Sequence, residues 1–257
     1  MGFYDLTKEE RIKRVEEIGR DILSAIKTDA RKNVIRYFSD ENTYIRKTAY
    51  LAIGRIYFAN KNLQNKIIKL LDDLLPEPAF KIRQTVINAA GEIGMREFEP
   101  VAHFFDKGIF DTHHSPRNAV IGSIKKMSEK NPEPVLRWVK KYLHHPDKEI
   151  RREVCHGIEL RGRKYPEDIL PLLKELENDR TARVRNTLIH VLGQIAYKEG
   201  CLATVIADLN NWTNKELTDK AVEEIIDVHE RYKDFAALTQ AQAIEYIEKH
   251  YRTLERG

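Results

Sequence analysis

Residues 135–165 form the part of the chain whose side chains could bind a polyanion. Nine Lys and Arg against four Asp and Glu give this stretch a local net charge of +5, whereas the whole 257-residue chain carries only +4. His144, His145 and His156 add hydrogen-bond donors, and the rings of Trp138 and Tyr142 offer flat surfaces for a base or a sugar. The nine cationic residues are Arg137, Lys140, Lys141, Lys148, Arg151, Arg152, Arg161, Arg163 and Lys164.

The same stretch also fits an ordinary helical surface. Trp138 lies in a predicted helix with Val135, Leu136, Val139 and Leu143, which is typical of a residue packed in a core. A run of charges on a helical protein is often only its solvated face. The sequence leaves both interpretations open.

Other constellations for catalysis or metal binding are missing from the sequence. The adjacent histidine pairs at 113–114 and 144–145 point in different directions on a helix, and they have no partners at metal-ligand spacing. A phosphate-binding glycine loop and a Gly-x-Ser-x-Gly turn are both absent. We therefore predict neither a bound metal nor a cofactor.

A short motif recurs along the chain and organises it. It reads TYIRKTAYLAIGRI from residue 43, FKIRQTVINAAGEI from 80, KEIRREVCHGIELR from 148 and ARVRNTLIHVLGQI from 182. A sixth, degenerate copy, KELTDKAVEEII, has Thr218 in place of the motif arginine. The arginines at this position are Arg46, Arg83, Arg117, Arg151 and Arg185, at spacings of 37, 34, 34 and 34 residues. A regular internal period of this length is the signature of a repeat architecture.

Each repeat consists of two amphipathic helices joined by a polar turn. The apolar residues of every copy recur at helical intervals, and a second amphipathic segment such as DILPLLKEL precedes the motif. The turns contain Asp, Asn and Pro, as in SDENT and HHPDKE, and an Ile/Val-Arg pair follows. This pattern resembles the HEAT repeat, and it lacks the consensus residues of ankyrin and tetratricopeptide repeats. We predict an all-α, right-handed α-solenoid of about six short HEAT-like repeats.

The composition is typical of a helical protein. The chain is 33% charged and 42% hydrophobic, with two cysteines and without a long uncharged apolar run. We expect a single domain over residues 1–257, with an N-terminal capping helix in 1–29, repeats in 30–235 and a C-terminal capping helix in 236–257. The start of the chain lacks a signal-peptide pattern, so we expect a cytoplasmic protein that does not contact a membrane.

The repeated arginines have a structural explanation as well as a functional one. A turn carboxylate, such as Asp40, Asp147 or Asp179, could pair with the arginine of a neighbouring repeat and form a ladder of ion pairs. The glycines eight residues after the arginine, Gly54, Gly91 and Gly193, are expected to let neighbouring helices approach closely.

Residues 130–215 resemble the HEAT-like DNA alkylation repair family, the AlkC/AlkD group of DNA glycosylases. The resemblance lies in NPEPVLRWVKKYLHHPDKEIRREVCHGIELRG, in YPEDILPLLKELENDRTARVRNTLIHVLGQIAYKEG and in the DLNNW that follows, which ends at Trp212. It implies a concave basic channel that grips the backbone of double-stranded DNA around a damaged nucleotide. The implied contacts are Arg117, Trp138, Arg151, Arg152, Arg161, Arg163, Lys164, Arg185 and Trp212.

The resemblance also implies a catalytic carboxylate. In that family an Asp beside aromatic residues is thought to stabilise the positive charge that develops on the deoxyribose as an alkylated base departs. The nearest candidate is Asp111, which follows Phe110; Asp106 competes for the role, and a loop Asp is often a helix N-cap.

Two functions therefore remain open. The first is a DNA-binding repeat protein, for which the family resemblance implies excision of alkylated purines without a metal. The second is a non-enzymatic scaffold whose basic face binds an acidic protein partner.

Overall fold

The polar turns and the helical periodicity of the motif determine the secondary structure. The computed structural model describes residues 5–252; residues 1–4 and 253–257, which include the outer ends of both predicted caps, lie outside the described residues. All regular structure in residues 5–252 is helical, without a strand, and the predicted all-α repeat fold is confirmed. The chain divides into two compact units, one ending at Asn131 and the other beginning at Pro132. A single domain over the whole chain stays a prediction, as does the handedness of the solenoid.

Unit 1 contains a long first helix and three repeats. Its helices are α1 (Lys8–Thr28), α2 (Arg31–Phe38), α3 (Thr43–Ala59), α4 (Gln64–Leu74), α5 (Phe80–Gly94), α6 (Ala102–Gly108) and α7 (His114–Lys130). Short 3₁₀ turns, Lys61–Leu63 and Glu99–Val101, precede α4 and α6. The second helices of the repeats, α3, α5 and α7, pack side by side in that order.

Unit 2 repeats the arrangement. Its helices are α8 (Pro132–Lys140), α9 (Lys148–Gly157), α10 (Glu159–Gly162), α11 (Pro166–Lys174), α12 (Ala182–Ala196), α13 (Cys201–Leu209), α14 (Lys215–Arg231) and α15 (Gln240–His250). The second helices α9, α12 and α14 pack in sequence, and the first helices α11, α13 and α15 form the other layer. The core between the layers consists of Leu, Ile, Val and aromatic side chains.

Polar turn residues cap the second helices, as the sequence predicts. Asn42, His113 and Asp147 each accept a hydrogen bond from the backbone amide two residues later, and Asn214 accepts one from Leu217. These bonds satisfy amides that have no partner inside the helix. In these four repeats the turn side chain sets where the second helix begins, whereas α5 and α12 begin without a side-chain cap.

The three motif glycines lie where second helices approach each other. A Cβ atom at Gly91 would lie 2.5 Å from the hydroxyl of Ser123 on α7. One at Gly54 would lie 2.7 Å from Cβ of Glu92, and one at Gly193 would lie 2.7 Å from Cγ of Glu224. The predicted role of these glycines in helix packing is confirmed.

Two local features differ from the regular pattern. The second helix of the fourth repeat is interrupted at Ile158, so that α10 follows α9 as a separate short helix. The last helix is shorter than the predicted 236–257 cap, because Thr239 forms a capping box with Gln242 and sets the start at Gln240.

Candidate functional site

The motif arginines clamp the turn that precedes their own helix. In each of five repeats, Nη1 of the arginine donates a hydrogen bond to the backbone carbonyl six residues earlier. The pairs are Arg46 with Asp40 at 2.5 Å, Arg83 with Glu77 at 2.9 Å, Arg117 with Asp111 at 2.6 Å, Arg151 with His145 at 2.7 Å and Arg185 with Asp179 at 2.5 Å. The repeated arginine therefore has a structural role that follows the repeat period.

Two of these arginines also bind the turn of the next repeat. Nε and Nη2 of Arg83 lie 2.6 and 3.0 Å from the two carboxylate oxygens of Asp111, and the same atoms of Arg151 lie 2.5 and 3.0 Å from those of Asp179. The ladder hypothesis thus holds for these two arginines. Its predicted acids need correction: Asp111 takes part, whereas Asp40 binds its arginine through the backbone carbonyl.

The ion pairs also lower the pKa values of Asp111 and Asp179. Burial alone would raise the pKa of Asp179, but hydrogen bonds from Arg151 and from the Thr181 amide outweigh burial and lower that pKa below its ordinary value. The pKa of Asp111 is lowered in the same way by Arg83 and by the His113 amide, against the effect of burial. Both groups are therefore stable as buried carboxylates at neutral pH.

Asp111, the predicted catalytic residue, is held by these structural contacts. Besides Arg83, its Oδ1 accepts the His113 amide at 2.8 Å. The neighbouring Phe110 is 51% exposed. A catalytic role for Asp111 stays a prediction. The geometry favours a structural role, in which Asp111 caps the turn before α7 and pairs with Arg83 of the preceding repeat.

Both tryptophans lie in the core of unit 2. Trp138 and Trp212 are each 2% exposed. Trp138 packs against Tyr142 with ring centroids 4.7 Å apart, and the indole nitrogen of Trp212 donates to Asp208 at 2.7 Å. A base could stack on either indole only after the surrounding helices had moved.

Most of the charge in residues 135–165 is compensated locally. Six of the nine cationic side chains pair with carboxylates: Arg137 with Glu133, Lys140 with Glu175, Arg151 with Asp179, Arg152 with Glu149, Arg161 with Asp168 and Arg163 with Glu159. Four of those carboxylates lie outside residues 135–165, so the net charge of +5 for this stretch does not include them. Lys141, Lys148 and Lys164 form no ion pair among residues 5–252. Lys164 lies 5.3 Å from the centre of the Tyr165 ring, and Arg161 lies 3.9 Å from it.

A groove between α9 and α12 is lined by two arginines and two histidines of unit 2. Its volume is about 490 Å³, and Arg152, His156, Arg183 and His190 line it together with Asn186 and Thr187. We call it the α9/α12 groove. Of the predicted nucleic-acid contacts, Arg152 lines this groove, whereas Arg185 lines the neighbouring one between α12 and α14. Arg117 belongs to unit 1.

A carboxylate already bridges two of the guanidinium groups of the α9/α12 groove. Nε of Arg152 donates to Glu149 Oε2 at 2.9 Å, and Nε of Arg183 lies 3.2 Å from Glu149 Oε1. The spacing of the two arginines therefore fits one carboxylate between them. Arg183 is 63% exposed, so the bridge is open to solvent and to exchange with another acid.

A cluster that the sequence analysis missed lies at one side of this groove. Each of His156, Glu159 and His190 offers one potential metal-ligand atom, and these three atoms lie within 4.8 Å of one another. His156 and His190 are separated by 34 residues, one repeat period, and hold the same place relative to the motif arginine. That coincidence, together with Glu159 three residues after His156, is the signal in the sequence that could have identified the cluster.

The two cysteines are buried, free thiols. Burial, and next the charge of Glu159, raise the pKa of Cys155 to about 12. Burial raises the pKa of Cys201 as well. A raised pKa keeps a thiol protonated, and the protonated form is weakly nucleophilic. No helix within residues 5–252 combines the length and hydropathy needed to cross a bilayer.

The comparisons with known proteins do not show a family for this chain. No protein-family model and no curated protein matches the chain. A solved TOG-array domain of Crescerin, described as regulating microtubules in the primary cilium, is 17% identical and covers 76% of this chain and 88% of its own, with a TM-score of 0.49. The E. coli protein YibA is 17% identical over 95% of this chain and 98% of its own, with a TM-score of 0.44.

A third similar structure is the complex of CpcE and CpcF of phycocyanin lyase from Nostoc, which is 15% identical over 96% of this chain and 92% of its own, with a TM-score of 0.36. Nothing in the comparisons singles out the DNA alkylation repair family. The helical-repeat assignment rests on the helix pairing described above.

Proposed function

We propose that this chain is a non-enzymatic repeat scaffold that binds a short acidic segment of a partner protein in the α9/α12 groove. The observation that carries the proposal is the convergence of Arg152, Arg183, His156 and His190 on one open groove. Guanidinium groups bind carboxylates through charge-assisted hydrogen bonds, which are stronger than neutral ones. Glu149, bound between the two arginines, occupies the position that a carboxylate of the ligand would take.

The charge of the next helix supports a short ligand. Helix α14, which packs against α12, contains six acidic and three basic residues. A long polyanion that continued past α12 would meet this negative charge, whereas an acidic peptide of a few residues would stay within the basic groove. The groove chemistry therefore favours a protein segment over an extended duplex.

The experiment measures fluorescence anisotropy of a labelled Asp/Glu-rich peptide titrated with the full chain. The informative variant is Arg183→Gln, because this exposed side chain can be removed without uncovering a buried charge. Losing one charge-assisted hydrogen bond costs about 1.5–3 kcal/mol, so the affinity should fall by roughly 10- to 100-fold. A peptide with Gln and Asn in place of Glu and Asp should not bind.

Arg137→Gln is the matched control. Arg137 also pairs with a glutamate and is 67% exposed, but it lies on α8, and the groove lining does not include it. Its replacement should leave peptide affinity unchanged. Equal losses in both variants, or no binding by the wild-type chain, contradict the proposal.

The same titration with duplex DNA tests the function that the family resemblance implies. If a duplex binds more tightly than the peptide and Arg183→Gln weakens it, DNA replaces the acidic segment as the ligand. Base excision then requires that a duplex containing 7-methylguanine release the base above the spontaneous rate, and that Asp111→Asn slow the release. Asp106→Asn serves as the control for that substitution.

A further inference from the structure

We propose that His156, Glu159 and His190 form a binding site for a divalent transition-metal ion, with Zn²⁺ as the test ion. The inference rests on the geometry of this cluster and does not depend on the acidic ligand proposed above. Two imidazoles and one carboxylate are a donor set that binds Zn²⁺ and its neighbours in the first transition row.

The distances require only a small adjustment. Nε2 of His156 lies 3.0 Å from Oε2 of Glu159, and the three donor atoms lie within 4.8 Å of one another. Ligand atoms about 2.0–2.1 Å from a tetrahedral Zn²⁺ are about 3.3 Å apart. The donor atoms must therefore approach one another by up to about 1.5 Å, and His190, which is 43% exposed, is the side chain with room to move.

Outer partners orient two of the three ligands. The second oxygen of Glu159 accepts a hydrogen bond from Arg163 at 2.5 Å, and the Glu159 side chain is only 3% exposed. Nδ1 of His190 lies 3.7 Å from the carboxylate of Glu224, which leaves Nε2 as the nitrogen for the ion. A carboxylate behind the second nitrogen of a metal-binding histidine fixes the ring and increases its basicity.

The charges around the cluster are balanced before an ion binds, so affinity for a cation would have to come from the donor atoms themselves. Glu159 and Glu224 supply two negative charges, and Arg163 pairs with the first and Arg231 with the second. Arg152 and Arg183 line the same groove, where Glu149 is bound to both. With three protein ligands, the coordination position that faces the groove stays open to water, as in zinc sites that are not purely structural.

The interruption at Ile158 makes this geometry possible. Helix α9 ends at Gly157, and Glu159 begins α10 with its carboxylate buried beside the His156 ring. The second histidine comes from the same position one repeat later, on α12. The repeat period thus places the two imidazoles, and the irregularity places the carboxylate.

The test is isothermal titration of metal-free full-length protein with Zn²⁺, in the absence of any peptide or nucleic acid. We expect one ion per chain with a micromolar or tighter dissociation constant, and a rise of the melting temperature on binding. Titration with Co²⁺ should produce visible absorption bands of the intensity typical of a four- or five-coordinate ion. Because a proton and a metal ion compete for the same imidazole nitrogen, binding should weaken on acidification.

His190→Gln is the decisive variant, since this partly exposed side chain contributes little to the core. Loss of an outer carboxylate costs about 10- to 100-fold in metal affinity, and loss of a ligand should cost at least as much. Glu224→Gln should weaken binding by about 10-fold and keep the cobalt bands.

His144→Gln is the matched control. Nε2 of His144 lies 2.8 Å from Glu175 in an equivalent imidazole–carboxylate pair, but His144 is not part of the three-residue cluster. Its replacement should leave Zn²⁺ affinity unchanged. The proposal is overturned if wild-type protein binds no stoichiometric Zn²⁺, if His190→Gln binds it equally well, or if His144→Gln loses as much affinity. Because the assay contains no peptide, its outcome is independent of the proposed scaffold function.

Discussion

Replacing Arg151 by Ala removes the contact that joins two successive turns of unit 2. The guanidinium donates two hydrogen bonds to carbonyls of its own turn, those of His145 and Pro146, at 2.7 and 3.0 Å. It donates two more to the carboxylate of Asp179 in the next turn, and its Nη2 lies 3.2 Å from the hydroxyl of Thr181. The side chains of the ion pair are 6% and 5% exposed.

Burial sets the magnitude of the expected loss. Without Arg151, the carboxylate of Asp179 would remain charged in a site that water barely reaches. Breaking a buried pair in this way costs about 3–5 kcal/mol, much more than an exposed pair. At roughly 2–4 °C per kcal/mol for a chain of this size, the melting temperature should fall by about 6–20 °C.

Urea unfolding followed by far-ultraviolet circular dichroism measures the free energy of unfolding of each variant. Arg185→Ala is the matched control, because Arg185 makes the same bond to its own turn but is not paired with a carboxylate of the next repeat among residues 5–252. Its loss should be about 0.5–1.5 kcal/mol. The double variant R151A/D179N should be more stable than R151A, since it no longer buries an unpaired charge. A loss in R151A no larger than in R185A, or a double variant less stable than R151A, refutes this reasoning.

Two further predictions concern stability. The pKa values of Asp111 and Asp179 are lowered in the folded state, so both carboxylates stabilise the fold above the pKa of about 3.9 of an unfolded Asp. This contribution should be lost as the pH falls through the lower folded pKa values. Urea midpoints measured from pH 6 down to pH 2 check this prediction, and R151A should flatten the dependence of the midpoint on pH. Gly91→Ala should destabilise by about 1–3 kcal/mol, because the new Cβ would lie 2.5 Å from a serine oxygen of α7, whereas Gly122→Ala, with no atom within 4 Å, should be neutral or slightly stabilising in the same assay.

The fold was predictable because each repeat contains the same local information. Helical spacing of apolar residues recurs in every copy, a capping side chain precedes four of the six second helices, and the motif glycine occurs in three copies, so an ambiguity in one copy is resolved by the others. The capping box between Thr7 and Glu10, which begins α1, could also be predicted from such a local pattern. The interruption at Ile158 could not, since it occurs in one copy and breaks the pattern on which the prediction depends.

The candidate site was harder to predict, because charge compensation acts across space. The excess of positive charge in residues 135–165 largely disappears once carboxylates from neighbouring turns are included, and Asp179 is 28 residues from the arginine it binds. The burial of Trp138 was one of two alternatives that the sequence left open. The cluster of His156, Glu159 and His190 was not predicted, because its members lie in two different repeats.

The paired arginines at the start of α9 have different roles because neighbouring residues on a helix point about 100° apart. Arg151 faces the turns, and its hydrogen bonds are made within the fold. Arg152 faces the α9/α12 groove, where its guanidinium binds Glu149 in a position that solvent and ligands can reach. The His156 and His190 positions, five residues after successive motif arginines, face the same groove. Helical position therefore separates stability from binding in this repeat. Substitution of Arg151 should affect unfolding, whereas substitution of Arg152, Arg183, His156 or His190 should affect what the groove binds.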